Sequence, residues 1–228
     1  MRDVGAASSG NSSPAEFTLD EIRARLAMRE PALARPAAGV GQAAVAAILE
    51  QPPGARLEML FIKRSVHPHD PWSGQMGFPG GRRDPADASA QAAAERETFE
   101  EIGVDLQRCA RLLGRLDDIQ AVARGRLLPL IIAPFVYHII APYDVRLNHE
   151  VVELARIPLI TLLDHRQHQT RPYDFQGQTI QLPCVRHGGW EVWGLTYRML
   201  ALLSRALRPD GPQLPDGVFI SQEFTADR

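Results

Sequence analysis

Glu97, Glu100 and Glu101 are spaced i, i+3, i+4, so in a helix their carboxylates leave one face. Like charges at that spacing repel and weaken an isolated helix. A cation on the face offsets that cost, and carboxylate oxygens are hard ligands that suit Mg²⁺ or Mn²⁺. Glu95 and Arg96 flank the cluster, and Arg96 can fix one carboxylate with a bidentate bond. Taken by spacing alone, an acidic run is a solvated helix face. The preceding loop adds weight to the metal reading. Gly80 and Gly81 let the backbone approach a ligand closely or take positive φ, and Asp87 and Ser89 are both credible N-caps. A glycine loop, a helix start and a triple-acid face together suit a metal–diphosphate.

The rest of the chain must position that helix. Its 228 residues are 45% apolar, enough for one globular domain with a sizeable core. A net charge of −2 provides no overall basic field for coating nucleic acid. Cys109 and Cys184 are too scattered for a disulfide framework or a zinc site and read as buried thiols. No run of about 18 apolar residues is present to span a bilayer, and the N-terminus lacks a secretory pattern. The expectation is a cytoplasmic protein, monomer or homodimer, without nucleic-acid or membrane partners.

Residues 1–16 are small and polar and read as a disordered tail. Residues 17–40 read as a helix and a linker. Thr18 and Glu21 have capping-box spacing, Ile22 and Leu26 share a face, and the helix is expected to end near Pro31. The main domain spans 41–207, and 208–228 is a loose tail. Within the domain, AAVAAILE and RLEMLFIKR read as strands around a Pro-Pro-Gly turn. Residues 65–85 read as mostly loop, and 87–102 as a helix stopped by Gly103. Further strands follow around LLGRLDDI and Leu127–Ile140, with Pro129 and Pro134 at ends or edges. Glu150–Leu154 reads as a helical turn or loop, Leu159–Asp164 as a helix, and 170–192 as an antiparallel pair. Leu195–Leu207 closes the domain as an amphipathic helix. Mixed elements without βαβ repetition indicate an α/β (α+β) fold.

The segment from Gly81 to Val104 resembles the Nudix box, whose second half is Arg-Glu-aliphatic-x-Glu-Glu-x-Gly-aliphatic. Here it runs Arg96-Glu97-Thr98-Phe99-Glu100-Glu101-Ile102-Gly103-Val104, with Thr98 at the aliphatic position. In the first half, Gly81 is followed by five residues and Asp87 in place of Glu, and eight residues separate Asp87 from Arg96. The Asp and the extra residue resemble the coenzyme A pyrophosphatase branch, as does the lead-in Phe78-Pro79-Gly80-Gly81. Lys63-Arg64-Ser65, Gly74-Gln75, Glu150-Val151, Ile157-Pro158-Leu159, Leu162-Leu163-Asp164 and Trp193-Gly194-Leu195-Thr196 are similar to that branch's flanking signatures. Trp72 stands where the branch usually carries His.

The resemblance implies a Nudix-type α/β/α sandwich with mixed β-sheet, acting on a nucleoside diphosphate linked to another group. It implies that Glu97 and Glu101 hold Mg²⁺ or Mn²⁺, with Glu100 a third ligand or the base. Arg96 would orient Glu97, and Gly80 and Gly81 would bring backbone to the site. Glu150 is a further candidate base or ligand, or an exposed loop acid. Arg64 is a candidate phosphate contact, with Arg82 and Arg83 behind it, and Trp72 and Phe78 can stack on adenine or belong to the core. The histidines, His67/His69 and His165/His168 among them, read as surface or structural. The implied substrate is coenzyme A or a derivative, cut to 3′,5′-ADP and 4′-phosphopantetheine. The alternatives are ADP-ribose, a dinucleoside polyphosphate or a modified nucleotide, or a non-catalytic domain that senses a nucleotide.

Overall fold

A computed structural model describes residues 16–68 and 70–215. The expected tail over 1–16 therefore lies outside the described residues except for Glu16, as do His69 and residues 216–228. Helix α1 (Leu19–Ala27) opens the described chain with a complete capping box: the Glu21 N–H donates to Thr18 Oγ1, and the Thr18 N–H donates to Glu21 Oε2. It ends at Ala27, ahead of Pro31. Ile22 and Leu26 are fully or nearly fully buried in the core of the main domain.

Strands β1 (Gly41–Glu50) and β2 (Glu58–Arg64) follow, then two short strands, β3 (Met76–Gly77) and β4 (Gly80–Arg82), in the segment read as loop. Helix α2 (Ala90–Ile102) and α3 (Leu106–Cys109) lead into β5 (Ala110–Arg115), β6 (Ile119–Ala123) and β7 (Arg126–Ile139). The chain continues through β8 (Val151–Pro158), α4 (Leu159–Leu163), β9 (His168–Phe175), β10 (Gln178–His187), β11 (Trp190–Trp193) and α5 (Gly194–Leu207).

The main sheet is mixed. β1 pairs antiparallel with β2 and β4 and parallel with β7, while β3 and β8 extend from β2 and β5 and β6 from β7. Strands β9, β10 and β11 form a separate three-stranded antiparallel sheet rather than the expected pair. The two-residue period of β1 sorts its side chains between two cores. Ala43, Val45, Ala47 and Leu49 join Ile22 of α1 and Leu200 of α5; Ala44, Ala46 and Ile48 join Ala93, Ala94 and Ile102 of α2. Helices thus cover both faces, the sandwich expected. Alanine on both sides of the β1–α2 contact lets helix and sheet approach closely, which brings the acidic face of α2 onto β4.

Three further expectations are corrected. Glu150–Leu154 is not helical, because Val151 begins β8, whose buried residues Val151, Ala155 and Ile157 alternate with exposed Val152, Glu153 and Arg156. Pro134 is not at a strand end but inside the 14-residue β7. β1 pairs with β7 through Pro134 on one side, while on the other β5 pairs up to Phe135 and β6 from Ile132; the Pro134 carbonyl faces that break, accepting the Leu116 N–H, so the missing N–H on the same side breaks no ladder bond. Helix α2 starts at Ala90 and is capped by Ser89, which accepts the Ala92 N–H, so Asp87 is not its cap.

Register places Gly80 opposite Val45 and Gly81 opposite Ala44. Gly80 has φ +144°, and a Cβ there would stand 2.3 Å from the Ala44 carbonyl oxygen. Gly80→Ala is expected to cost about 3 kcal/mol or more, since backbone must move to admit it. Chemical denaturation checks this, and a loss below about 1 kcal/mol would contradict it.

Candidate active site

The last two turns of α2 carry the acids, and Gly103 ends the helix in the left-handed conformation at φ +75°, donating its N–H to the Phe99 carbonyl. Thr98, at the position where the motif has an aliphatic residue, is fully buried. Its hydroxyl donates to Ala94 O at 2.7 Å, so the polar atom is satisfied inside the core.

The three glutamates differ sharply in setting. Glu101 is 2% exposed; its Oε2 accepts the Gly80 N–H at 2.8 Å, and its Oε1 lies 3.7 Å from Arg64 Nη1. Burial pushes its carboxyl up to about 8, against the pull of Gly80 and Arg64, and the charges of Glu97 and Glu150 push the same way. Glu97 is mostly buried. Its carboxyl is raised by burial first and by Glu100 and Glu150 after, while Arg96 opposes. A Cβ on Gly81 would lie 2.5 Å from the Glu97 carboxylate carbon, so only glycine leaves that carboxylate its place. Glu100 is half exposed and bonded to Arg96.

Arg96 organises this face. Its Nε and Nη2 donate to both Asp87 oxygens, its Nη1 to Glu97 Oε1 at 3.0 Å and Glu100 Oε2 at 3.1 Å, and Nη2 also to Arg82 O. The Arg96 guanidinium holds the Asp87 carboxyl below its ordinary range. The Asp seen at this motif position is thus the anchor of Arg96.

Glu97 and Glu101 line a cleft of about 490 Å³ together with Gly80, Gly81 and Glu150. Glu150 comes from the turn before β8, which is tied to the end of β2 by the Ser65 N–H bond to Glu150 O. Glu100 is outside the cleft lining. Arg64 and Trp72 line it, linked through Asp70, whose Oδ2 accepts from Arg64 Nε at 2.8 Å and whose Oδ1 accepts the Trp72 N–H. The Trp72 indole N–H donates to Val122 O at 3.2 Å. Phe78 also lines the cleft but is 4% exposed and stacks on Phe61, so the core engages its ring. Arg82 lines the cleft; Arg83 turns to Gln42 and the Asp87 carbonyl. His168 bonds Tyr197 and Leu162 O in the core, and Cys109 and Cys184 are buried and unbridged.

Among the described residues, no three acids, histidines or cysteines already converge as a cation cage. The donor set nevertheless fits a divalent cation. Two sheltered carboxylates with raised affinity for protons, a third acid in the same cleft and a glycine that clears space at Glu97 supply hard oxygen donors.

Sequence reasoning missed Asp70, although an acid between Arg64 and Trp72 in a polar loop was a visible cue. It also missed Thr196, whose hydroxyl donates to Met76 O and joins α5 to β3, and the side chains of β9, β11 and α5 that line a cavity together with Trp72. No helix among the described residues is long and apolar enough to cross a membrane.

The NUDIX domain family model matches residues 41–175. A Schizosaccharomyces pombe protein of uncharacterized function is 39% identical over 110 residues, 46% of this chain, which spans only 33% of that protein's length. The Nudix hydrolase NudL of an Enterobacter species, itself uncharacterized, is 30% identical over 188 residues, 79% of this chain and 90% of that one. The human mitochondrial coenzyme A diphosphatase NUDT8 is 30% identical over 156 residues, 66% of this chain and 63% of its own.

Proposed function

The chain belongs to the Nudix hydrolase family, whose members generally use divalent metal ions, and on that premise we propose that it hydrolyses the diphosphate bond of coenzyme A or a derivative. The products are 3′,5′-ADP and 4′-phosphopantetheine. The observation that carries the reading is the meeting of Glu97, Glu101 and Glu150 with the Gly80-Gly81 loop in one cleft. The coenzyme A assignment is supported by the flanking motifs and by the similarity to a coenzyme A diphosphatase.

Glu97 and Glu101 hold Mg²⁺ or Mn²⁺. When bound, the metal neutralises charge on diphosphate oxygens and eases deprotonation of water. Arg96 keeps Glu97 oriented by the bond at 3.0 Å. Arg64 and Arg82 face the cleft as phosphate contacts. Water attacks one phosphorus, the bridging P–O bond breaks toward the other phosphate, and the water's proton passes to a carboxylate. Glu150 is our candidate for that base in preference to Glu100, because Glu150 lines the cleft while Glu100 is held on Arg96. The second reading, a different nucleoside diphosphate such as ADP-ribose or a dinucleoside polyphosphate, is favoured by one observation: Trp72 lines the cleft where the branch carries His.

Incubation with Mg²⁺ or Mn²⁺ and a panel of coenzyme A, ADP-ribose and diadenosine polyphosphates, with separation of products, tests the proposal. Coenzyme A is expected to give the two products above at a kcat/KM at least about tenfold over the others, and chelation to abolish it. Cleavage of ADP-ribose alone overturns the substrate, and no turnover of any compound overturns the hydrolase.

A further inference from the structure

A second cavity, of about 220 Å³, adjoins the catalytic cleft and shares Pro71, Trp72, Gln75 and Leu195 with it. Its remaining walls come from the β6–β7 hairpin, from β9 and β10, and from β11 running into α5. Trp193, Leu195 and Arg198 in those walls lie beyond residues 41–175, where the family model matches. The cavity is thus built largely from parts of this chain that the catalytic motif does not specify.

Its chemistry differs from that of the cleft in two respects. Three aromatic side chains line it: Trp72, Tyr173 and Trp193. The Tyr173 and Trp193 rings are 5.7 Å apart and tilted at 48°, the Arg171 guanidinium sits 3.9 Å from the Trp193 centroid, and Trp72 is fixed by its bond to Val122 O. These rings are held in place before any ligand arrives. Among the described residues the lining also carries two cations, Arg124 and Arg198, the latter donating to the Gln120 carbonyl, and no acid. The neighbouring cleft is lined by Asp70, Glu97, Glu101 and Glu150 against Arg64 and Arg82. Aromatic walls with positive charge suit a flat ring that carries an anion.

The tip of the β6–β7 hairpin closes one side. A Cβ on Gly125, at φ +69°, would lie 1.8 Å from the Phe175 ring, so the tip seats on the β9–β10 hairpin only as glycine. That seating sets Arg124 at the cavity.

We propose that this second cavity is the subsite for the nucleoside half of the substrate, its base packed against Trp72, Tyr173 and Trp193 and a ribose phosphate met by Arg124 and Arg198. The inference rests on the reading of the adjoining cleft as a diphosphate hydrolase site. With the diphosphate in the cleft, one substituent extends past Trp72 into the cavity. Of the two halves of coenzyme A, the adenosine 3′-phosphate has both the ring and the extra anion. The pantetheine arm is a flexible neutral chain and matches neither feature. The 3′-phosphate is what Arg124 and Arg198 distinguish, so these two arginines discriminate 3′-phosphorylated from unphosphorylated adenosine diphosphates.

Calorimetric titration of the metal-free full chain with 3′,5′-ADP, AMP and 4′-phosphopantetheine tests this. Arg124→Gln combined with Arg198→Gln is expected to weaken 3′,5′-ADP about tenfold or more and AMP less than about threefold. Tyr173→Leu is expected to weaken both nucleotides about tenfold and leave 4′-phosphopantetheine unchanged. In the wild-type protein, which needs no variant to fold, both nucleotides quench tryptophan fluorescence saturably and 4′-phosphopantetheine does not. Unchanged nucleotide affinities in the folded variants overturn the subsite, as does loss of 4′-phosphopantetheine binding in their place or an absence of quenching. If coenzyme A is not cleaved but the nucleotide affinities respond as stated, the proposed substrate fails and the subsite stands. If coenzyme A is cleaved and the affinities do not respond, the subsite alone fails.

Discussion

Glu101→Gln is expected to lower kcat by about a thousandfold or more while the protein stays folded. Glutamine keeps the shape and the acceptor that takes the Gly80 N–H, so the loop-to-helix bond survives. What it removes is the charge of a carboxylate that is 2% exposed. The same change has an opposite effect on metal-free stability. The Glu101 carboxyl titrates near 8 in the fold, above its ordinary 4.5. A carboxyl raised in this way favours the fold fully below 4.5 and loses that contribution as pH climbs through about 8. Metal-free wild type is therefore expected to lose a few kcal/mol relative to Glu101→Gln between those values. Added Mn²⁺ is expected to raise the unfolding midpoint of wild type and not of the variant. Turnover above about a tenth of wild type would refute the assignment of Glu101 as a metal ligand.

The acidic face was legible because helical spacing is local: i, i+3, i+4 fixes which side chains share a side without knowledge of the fold. The same holds for β1, for the buried face of α5, and for Thr18 and Gly103, whose roles are set within a few residues. Locality also explains the misses. β3 and β4 have two and three residues, and what makes Gly80-Gly81 a strand is the register against Ala44 and Val45, some 36 positions earlier. Phe78 could not be assigned to the core before Phe61 was known to stack on it. Asp87 had the chemistry of a cap, and only the fold turns it toward Arg96. Glu150 joins Glu97 and Glu101 in one cleft through the pairing of β2 with β8, and Trp193 comes to line a cavity with Trp72 through a second sheet. The three acids differ in environment for the same reason. Their spacing makes them equivalent, and the packing of α2 on β4 buries Glu101, shelters Glu97 and leaves Glu100 half exposed.

Arg96 carries the second large effect, because one guanidinium joins Asp87, Glu97, Glu100 and the Arg82 carbonyl. Arg96→Met keeps much of the stem and leaves the Asp87 carboxylate, 7% exposed at its side chain, without its bidentate partner. A stability loss of about 2–4 kcal/mol at neutral pH is expected, together with a fall in kcat of about a hundredfold as Glu97 loses its hold. The stability loss has a pH signature. Asp87 titrates below its ordinary 3.8 in the fold, so the pair's contribution is complete above that value and disappears as pH falls through the folded one. Wild type and Arg96→Met should therefore converge in stability in acid, measured by denaturant titration across the range. Arg96→Lys separates orientation from mere charge. A lysine ammonium can pair with Asp87 and restore part of the stability, but it lacks the planar fork that reaches Asp87 and Glu97 together. For the lysine variant we expect kcat to stay low with KM little changed, since the arginine acts through Glu97 and not on the substrate. Recovery of kcat in step with stability would reduce Arg96 to a structural support and remove it from the catalytic assignment.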